Sequence, residues 1–338
     1  MFLKKKNGPF ITICIPVFQT EKYLSRCLES VFSQDYQDFE IIVVNDNSNG
    51  FDDYGNNFAK IIKSIEKKFH KKIKTIVHEK NKGLLEARRT AVYAAKGKYI
   101  CILDSDDFLE PNALFSLSKI AEQTNADIIH GKTYLFFEEN TNEFSDDKKK
   151  LMEIKEKVVN HVFDGILQSN QIFDGFLLSH NHCGFLWAKL IKSEIYIEAL
   201  SKIPPINCTM NEDFLQYFFI SYFAKKYIGF DEKIYNYSLS SGISSRTKIT
   251  DLEKWEKICS SSSIFVFLLD EIQNENPQNY SLLHSDAVKI ECIKGLKNNL
   301  LQYKSVVSPE IQKEAYEMLC DYWGEDFVKQ IEKSVSEQ

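Results

Sequence analysis

Three carboxylates crowd one short stretch of the chain, Leu103-Asp104-Ser105-Asp106-Asp107, directly after an apolar run, Tyr99 to Leu103, that reads as a buried strand. Like charges at that spacing repel unless a cation joins them. An oxygen-only cluster suits Mg²⁺ or Mn²⁺, hard ions that take one or two carboxylates and complete their shell with substrate phosphates. The other reading is an acidic loop whose Asp107 caps a helix opening near Pro111. Asn45-Asp46-Asn47-Ser48 carries a further carboxylate, which could accept a hydrogen bond from a base edge or a sugar hydroxyl, or simply form an Asx-type turn. In Pro16-Val17-Phe18-Gln19-Thr20-Glu21 an aromatic could flank a base and Glu21 could cap a helix. Asn81-Lys82-Gly83 gives a flexible backbone at a helix start, a natural anion site. Arg88, on that helix among alanines, could answer a diphosphate or lie solvated. His180-Asn181-His182-Cys183 invites zinc, but a second ligand pair at finger-like spacing is missing, which favours a loop that packs or touches substrate.

These residues need a scaffold, and the first 135 or so positions alternate between two periods. Apolar runs at Phe10 to Ile15, Ile41 to Val44, Ile73 to Val77 and Tyr99 to Leu103 read as strands. Between them Leu24, Cys27, Leu28, Val31 and Phe32 recur at helical spacing after Thr20 as N-cap, as do Phe58, Ile61, Ile62, Ile65 and Phe69. Leu84 to Ala95 reads as a third helix closed by Gly97, and Pro111 as the first turn of a fourth. Asp127 to His130 and Thr133 to Phe137 look like two further strands. Such alternation predicts an α/β fold with a mostly parallel central sheet flanked by helices, whose ligands bind beyond the carboxyl ends of the strands. Glu138 to Lys150 reads as a polar surface excursion and Val158 to Leu167 as a helix; after Asp251 the pattern is wholly helical. The organisation expected is a binding half over 1–135, a second half over 136–250 and a C-terminal helical subdomain over 251–338.

Composition bounds the partners. Among 338 residues, 48 acidic against 42 basic side chains leave a net charge of -6, which argues against nucleic acid. The apolar runs fall well short of the about 20 residues that span a bilayer, and Met1 to Lys6 is not followed by the apolar region of a signal peptide. The 8 cysteines include no Cys-x-x-Cys pair, which predicts reduced thiols in a cytoplasmic protein. Lysines 63, 67, 68, 71, 72 and 74 form a basic stretch that could touch anionic headgroups or lie as a solvated helix face.

Ile11 to Gln34, Phe39 to Ser48, Asn81 to Ala91 and Lys98 to Pro111 together resemble the successive blocks of family 2 glycosyltransferases, which have the Rossmann-like GT-A fold. Downstream, Trp187-Ala188-Lys189-Leu190 resembles that family's Trp-x-Lys-Leu segment and Asn211-Glu212-Asp213-Phe214 its Glu-Asp block, with Tyr235-Asn236-Tyr237 through Ser244 matching its later Tyr-and-Ser segment. The resemblance implies an inverting, metal-dependent transferase that moves a hexosyl or N-acetylhexosaminyl group from a nucleotide sugar, UDP-linked, to a hydroxyl of a surface glycan such as lipopolysaccharide or capsule. It implies that Asp46 pairs with the base, that Pro16, Phe18 and Glu21 line the base pocket, and that Gly83, Arg88, Asp104 and Ser105 sit about the ribose and diphosphate. Asp106, with Asp104, would hold Mn²⁺ or Mg²⁺. Asp213 would be the general base, with Glu212 and Trp187 near the acceptor. A lipid-linked glycan acceptor would bring the protein to the inner face of the cytoplasmic membrane as a peripheral partner, and the C-terminal helices could serve that contact or a homodimer. The rival reading from another class is a nucleotide-sugar-binding module without turnover.

Overall fold

The computed structural model describes residues 8–138, 146–206, 208–240 and 248–336. Two compact units divide the chain, one of residues 1–203 and 216–243, the other of residues 204–215 and 244–338.

The first unit is an α/β layer built on the expected alternation. Strands β1 (Ile11–Val17), β2 (Phe39–Asn45), β3 (Lys74–Val77) and β4 (Tyr99–Ile102) are joined by helices α1 (Glu21–Phe32), α2 (Phe58–Phe69) and α3 (Leu84–Ala94). They lie in the order β3-β2-β1-β4, and every pair is parallel. The predicted stripe of α1 is the buried face: Leu24, Cys27, Leu28, Val31 and Phe32 all enter the core. Phe32 stacks on Phe69 at the end of α2, with ring centroids 4.9 Å apart. At roughly 25 cal/mol per Å² of apolar surface, each such side chain contributes about 1.5–3 kcal/mol on burial.

Beyond β4 the sheet becomes mixed. It continues through β5 (Phe108–Leu109), α4 (Ala113–Thr124), β6 (Ile128–Phe136), α5 (Asp146–Val159), β7 (Gly165–Gln168), α6 (Asn170–Leu177), β8 (Lys189–Lys192), α7 (Ser193–Lys202), α8 (Glu212–Phe223) and β9 (Lys226–Ser238). β8 is antiparallel to β4 and β6, β9 is parallel to β6, and β5 and β7 pair antiparallel with β9.

Several local expectations give way to tertiary context. Residues 158–167 are not a helix: α5 ends at Val159, and Gly165–Gln168 is captured by the ladder of β9. Phe163 O approaches so near Gly229 that a Cβ there would meet it at 1.9 Å, so the segment is held against the strand. The two strands expected at 127–137 are one, β6, broken in register about Lys132. Gly97 closes no helix; it admits the backbone of Thr12, whose N would stand 2.5 Å from a Cβ. The fourth helix begins at Ala113, two residues after Pro111, with Asn112 at its N-cap position. Pro16 lies inside β1, not at its end. Val17 O accepts from Asp46 N on the β2 side, so Pro16 faces the β4 side, where the ladder has already stopped at Cys14.

The second unit is helical, with α9 (Leu252–Cys259), α10 (Ser262–Asp270), α11 (Leu282–Val306), α12 (Gln312–Trp323) and α13 (Glu325–Ser336). Two tryptophans fasten it. Trp255 Nε1 donates to Ala315 O at 2.8 Å, and Trp323 Nε1 donates to Asn299 Oδ1 at 2.9 Å. No helix among the described residues is long and apolar enough to cross a membrane.

Candidate active site

β1 has β2 on one side and β4 on the other, and the chain leaves β1 and β4 in different directions. A parallel sheet opens its ligand crevice at such a switch point. Thr20, just past β1, and Ser105, just past β4, meet there with their hydroxyl oxygens 2.6 Å apart. This bond is what Thr20 does instead of capping α1, where no side-chain cap forms. Phe18 is exposed to about a third, and Pro16 is buried in the strand beneath it.

The three carboxylates after β4 fall into two classes. Asp107 is buried; Tyr235 Oη donates to its Oδ2 at 2.8 Å and Ser238 N to its Oδ1 at 2.8 Å. Burial first, then the charges of Asp106 and Asp104, push its pKa well above the usual carboxylate range. It therefore neither caps α4 nor presents a free oxygen. Asp104 is partly exposed, and Arg88 Nη2 donates to both of its oxygens, at 3.0 and 3.3 Å. Arg88 itself is 1% exposed, so its guanidinium faces the protein and not bulk water. Asp106 is half-buried, and its carbonyl accepts from Arg26 Nη2 at 2.7 Å.

Arg26 is a residue that sequence reasoning passed over. Its fork also grips Glu138 at 2.7 and 2.8 Å, and its plane lies 5.0 and 4.9 Å from the rings of Phe108 and Phe136. Its partners lie 80 and 112 residues away, so no local pattern signals it. Tyr235, singled out only as part of the Tyr-and-Ser segment, takes its role from contacts as distant: its hydroxyl donates to Asp107 and accepts from Asp104 N at 3.1 Å, tying both ends of the acidic turn. Trp187 is buried and stacks on Tyr235 at 5.3 Å and on Tyr237 at 5.1 Å, which props the tyrosine from behind.

Asp46, at the end of β2, is enclosed. His78 Nδ1 lies 2.6 Å from Oδ1, and Lys82 N and Gly83 N donate to Oδ1 and Oδ2 at 2.9 and 2.8 Å. A carboxylate only accepts, so His78 carries its hydrogen on Nδ1; its Nε2 meets Thr90 Oγ1 at 2.9 Å. The carboxylate thereby pins the Asn81-Lys82-Gly83 turn, where Gly83 takes φ 87°, a left-handed value that suits glycine. Asn47 adopts φ 58° in the neighbouring turn, as Asn tolerates. Glu21 opens α1 but is only 1% exposed, and neither of its carboxylate oxygens has a hydrogen-bond partner among the described residues. Buried polar atoms are rarely left so, and a ligand hydroxyl or N–H is a natural complement.

The donor set fits a divalent ion of the Mg²⁺ class. Asp104 and Asp106 offer hard oxygens on one turn, while no group of three His, Cys, Asp or Glu among the described residues is placed to hold a metal unaided. Such an ion would draw its remaining ligands from substrate phosphates. The His-Cys segment is packing: His182 is buried, and Cys183 Sγ lies 3.7 Å from His130 Nε2 and 3.9 Å from Lys189 Nζ. Burial and then the Lys189 charge draw the pKa of His182 down to about 3, and that of His130 well below the ordinary range.

Glu212 and Asp213 open α8 within the second unit, after Asn211 at φ 65°. Leu215 N donates to Asn211 O at 3.1 Å and so starts the helix. Glu212 is buried and Asp213 half-buried. Ser244 lies outside the described residues.

The profile described as Glycosyl transferase family 2 matches residues 12–191, more than half of the chain. The chain belongs to that family. Glycosyltransferase GlyA of Streptococcus pneumoniae serotype 4 is 28% identical over 245 residues, which cover 72% of this chain and 32% of GlyA. Chondroitin synthase of Escherichia coli is 36% identical over 111 residues, covering 32% of this chain and 15% of the synthase. The chain thus spans a minor part of these curated relatives. Among solved structures, S. aureus TarS 1-349 in complex with UDP superposes with a TM-score of 0.53 at 16% identity, covering 97% of this chain and 91% of that one. The mannosyltransferase PcManGT from Pyrobaculum calidifontis, in complex with GDP-Man and Mn²⁺, superposes with a TM-score of 0.53 at 12% identity over 88% of this chain and 75% of that one. The fold is accordingly of the GT-A type.

Proposed function

We propose that this member of the family transfers a hexosyl or N-acetylhexosaminyl group from a UDP-linked sugar to a hydroxyl of a surface glycan, with inversion at the anomeric carbon. The observation that carries the reading is the pair Asp104 and Asp106, partly exposed and held from behind by Arg88 and Arg26, at the β1/β4 switch point. Asp104 and Asp106 would hold Mn²⁺ or Mg²⁺, which when bound neutralises charge on the departing diphosphate. The uridine sits over Phe18, with Glu21 accepting from a ribose hydroxyl or base N–H and Asp46 fixing the turn at Gly83 that faces it. Ser105 and Thr20 keep the two strand ends together beneath the donor. Trp187 acts by holding Tyr235, and through it the acidic turn, beside the acceptor.

Asp213 takes the proton from the acceptor hydroxyl as that oxygen bonds to the anomeric carbon. The bond from that carbon to phosphate oxygen breaks, and its electron pair leaves with the nucleoside diphosphate. A base on the face opposite the leaving group yields inversion in a single step, the logic of two separated carboxylates with a hydroxyl in place of water. Glu212 lies beside it in the first turn of α8. A lipid-linked acceptor would bring the lysine-bearing helix α2 to anionic headgroups at the cytoplasmic face.

The test is turnover of a panel of nucleotide sugars by the purified protein. Asp106→Ala and Asp213→Ala each abolish transfer, and the first also weakens metal-dependent UDP binding. Normal turnover in either variant overturns the assignment, and UDP binding without any release of UDP from a donor favours the non-catalytic module.

A further inference from the structure

A cleft of about 200 Å³ opens inside the helical unit, between the turn that precedes α8, the start of α10 and the middle of α11. Phe214 and Phe265 line it with ring centroids 6.0 Å apart. Gly295 makes room beside them; a Cβ there would stand 3.0 Å from the Phe265 ring and 3.2 Å from that of Trp323. Asn298 and Asn299 supply amides from α11, and Glu291 and Lys294 stand at the edge, paired at 2.6 Å.

Asn299 is the informative residue. Trp323 Nε1 donates to its Oδ1 at 2.9 Å, which fixes the way the amide faces. The side chain is 3% exposed and lines the cleft, and its Nδ2, with two hydrogens, has no partner among the described residues. A donor pair oriented by a bond on its other atom and opening into the cleft is a built feature, and an acceptor that enters the cleft would satisfy it.

The chemistry of the lining selects the ligand. Aromatic faces suit the C–H face of a pyranose, and amides suit vicinal hydroxyls that both give and take hydrogen bonds. Lys294 is already matched by Glu291, so the cleft offers no excess positive charge to draw a diphosphate. Its volume of about 200 Å³ is below the roughly 300–1,000 Å³ of sites that enclose a drug-sized ligand, which suits one sugar ring of an extended chain better than a whole nucleotide sugar. Two of its lining residues, Asn211 and Phe214, flank Glu212 and Asp213 in the chain.

We propose that this cleft is an acceptor subsite that holds one hexose or N-acetylhexosamine unit of the glycan being extended. The proposal rests on the glycosyl-transfer reading above and assigns part of the acceptor to the helical unit.

The three tryptophans give three indole N–H signals in a ¹⁵N-labelled sample. Trp323→Phe assigns the relevant one, and Asn299→Asp does so should the first variant not fold. Methyl glycosides of glucose, galactose and N-acetylglucosamine, titrated to high millimolar concentration, are the probes. At least one of them shifts the Trp323 signal while those of Trp187 and Trp255 stay still. Asn298→Ala, at an exposed position, weakens that titration by about tenfold, the equivalent of about 1.4 kcal/mol. A Trp323 signal unmoved by all three glycosides, or an Asn298→Ala titration that matches the unaltered protein, overturns the proposal. UDP-sugar hydrolysis, measured separately on the unaltered protein, reports on the transfer reading alone, so the two failures are distinguishable.

Discussion

Replacing Asp46 by Asn removes one charge and one acceptor while changing shape little, and the structure sets the consequence. Three donors converge on the carboxylate: His78 Nδ1, Lys82 N and Gly83 N. The best an amide can do is keep its oxygen towards His78 and Lys82 and turn its NH₂ towards Gly83 N, so donor faces donor. Losing that acceptor costs about 1–3 kcal/mol, and the two surviving bonds lose their charge assistance, about 0.5–1 kcal/mol each. The site is buried, with Asp46 2% and His78 5% exposed, so water does little to compensate. The sum is about 2–5 kcal/mol, and since the Gly83 turn loosens, affinity for UDP falls as well. Urea unfolding followed by circular dichroism gives the first quantity and calorimetric titration of UDP the second. A variant less than about 0.5 kcal/mol weaker, with unaltered UDP affinity, would refute the inference that this carboxylate pins the turn.

Thr90→Val strips His78 Nε2 of its hydroxyl partner and lowers stability by about 1–2 kcal/mol in the same urea assay. Gly97→Ala drives a Cβ into backbone atoms of Thr12 and Ile11 that cannot yield; it costs about 1–3 kcal/mol or more, read as a fall in melting temperature. Acid destabilises through His130 and His182. Unfolded, each ring binds a proton near pH 6.5, whereas folded His182 does so only at about 3 and His130 well below the ordinary range. The unfolded chain therefore holds more protons in between. Stability is whole above about pH 6.5 and falls as pH drops, by up to ~1.4 kcal/mol per pH unit and ring; urea midpoints at successive pH values check this, and His182→Gln flattens the slope. Co-sedimentation with anionic vesicles tests the proposed membrane contact, where binding at low salt that is lost at high salt is expected and none at low salt removes it.

What the sequence made legible was whatever a single strand or helix decides alone. The buried stripe of α1 and the run of β2 could be read because their periods are local. The carboxyl ends of the strands could be read as the place for a ligand, and the structure brings the acidic turn after β4 beside the end of β1 there. β9 could not be read: Asp231, Glu232 and Lys233 interrupt it with charge, and its 13 residues are extended because three other strands, β5, β6 and β7, pair along it. The parts played by Arg26, His78 and Tyr235 were invisible for a related reason. Each is ordinary in its own segment and becomes part of the site through a partner brought from far along the chain.

The acidic turn is anchored from β9. Tyr235 and Ser238 reach back 128 and 131 positions to take both oxygens of Asp107. A chimera that joined the first half of this sheet to the second half of a relative would have to import a tyrosine and a serine amide at matching heights, or leave a sunken carboxylate bare. Recombination between such proteins therefore cannot cut freely between the two halves of this sheet, since the acidic turn is held in common by both.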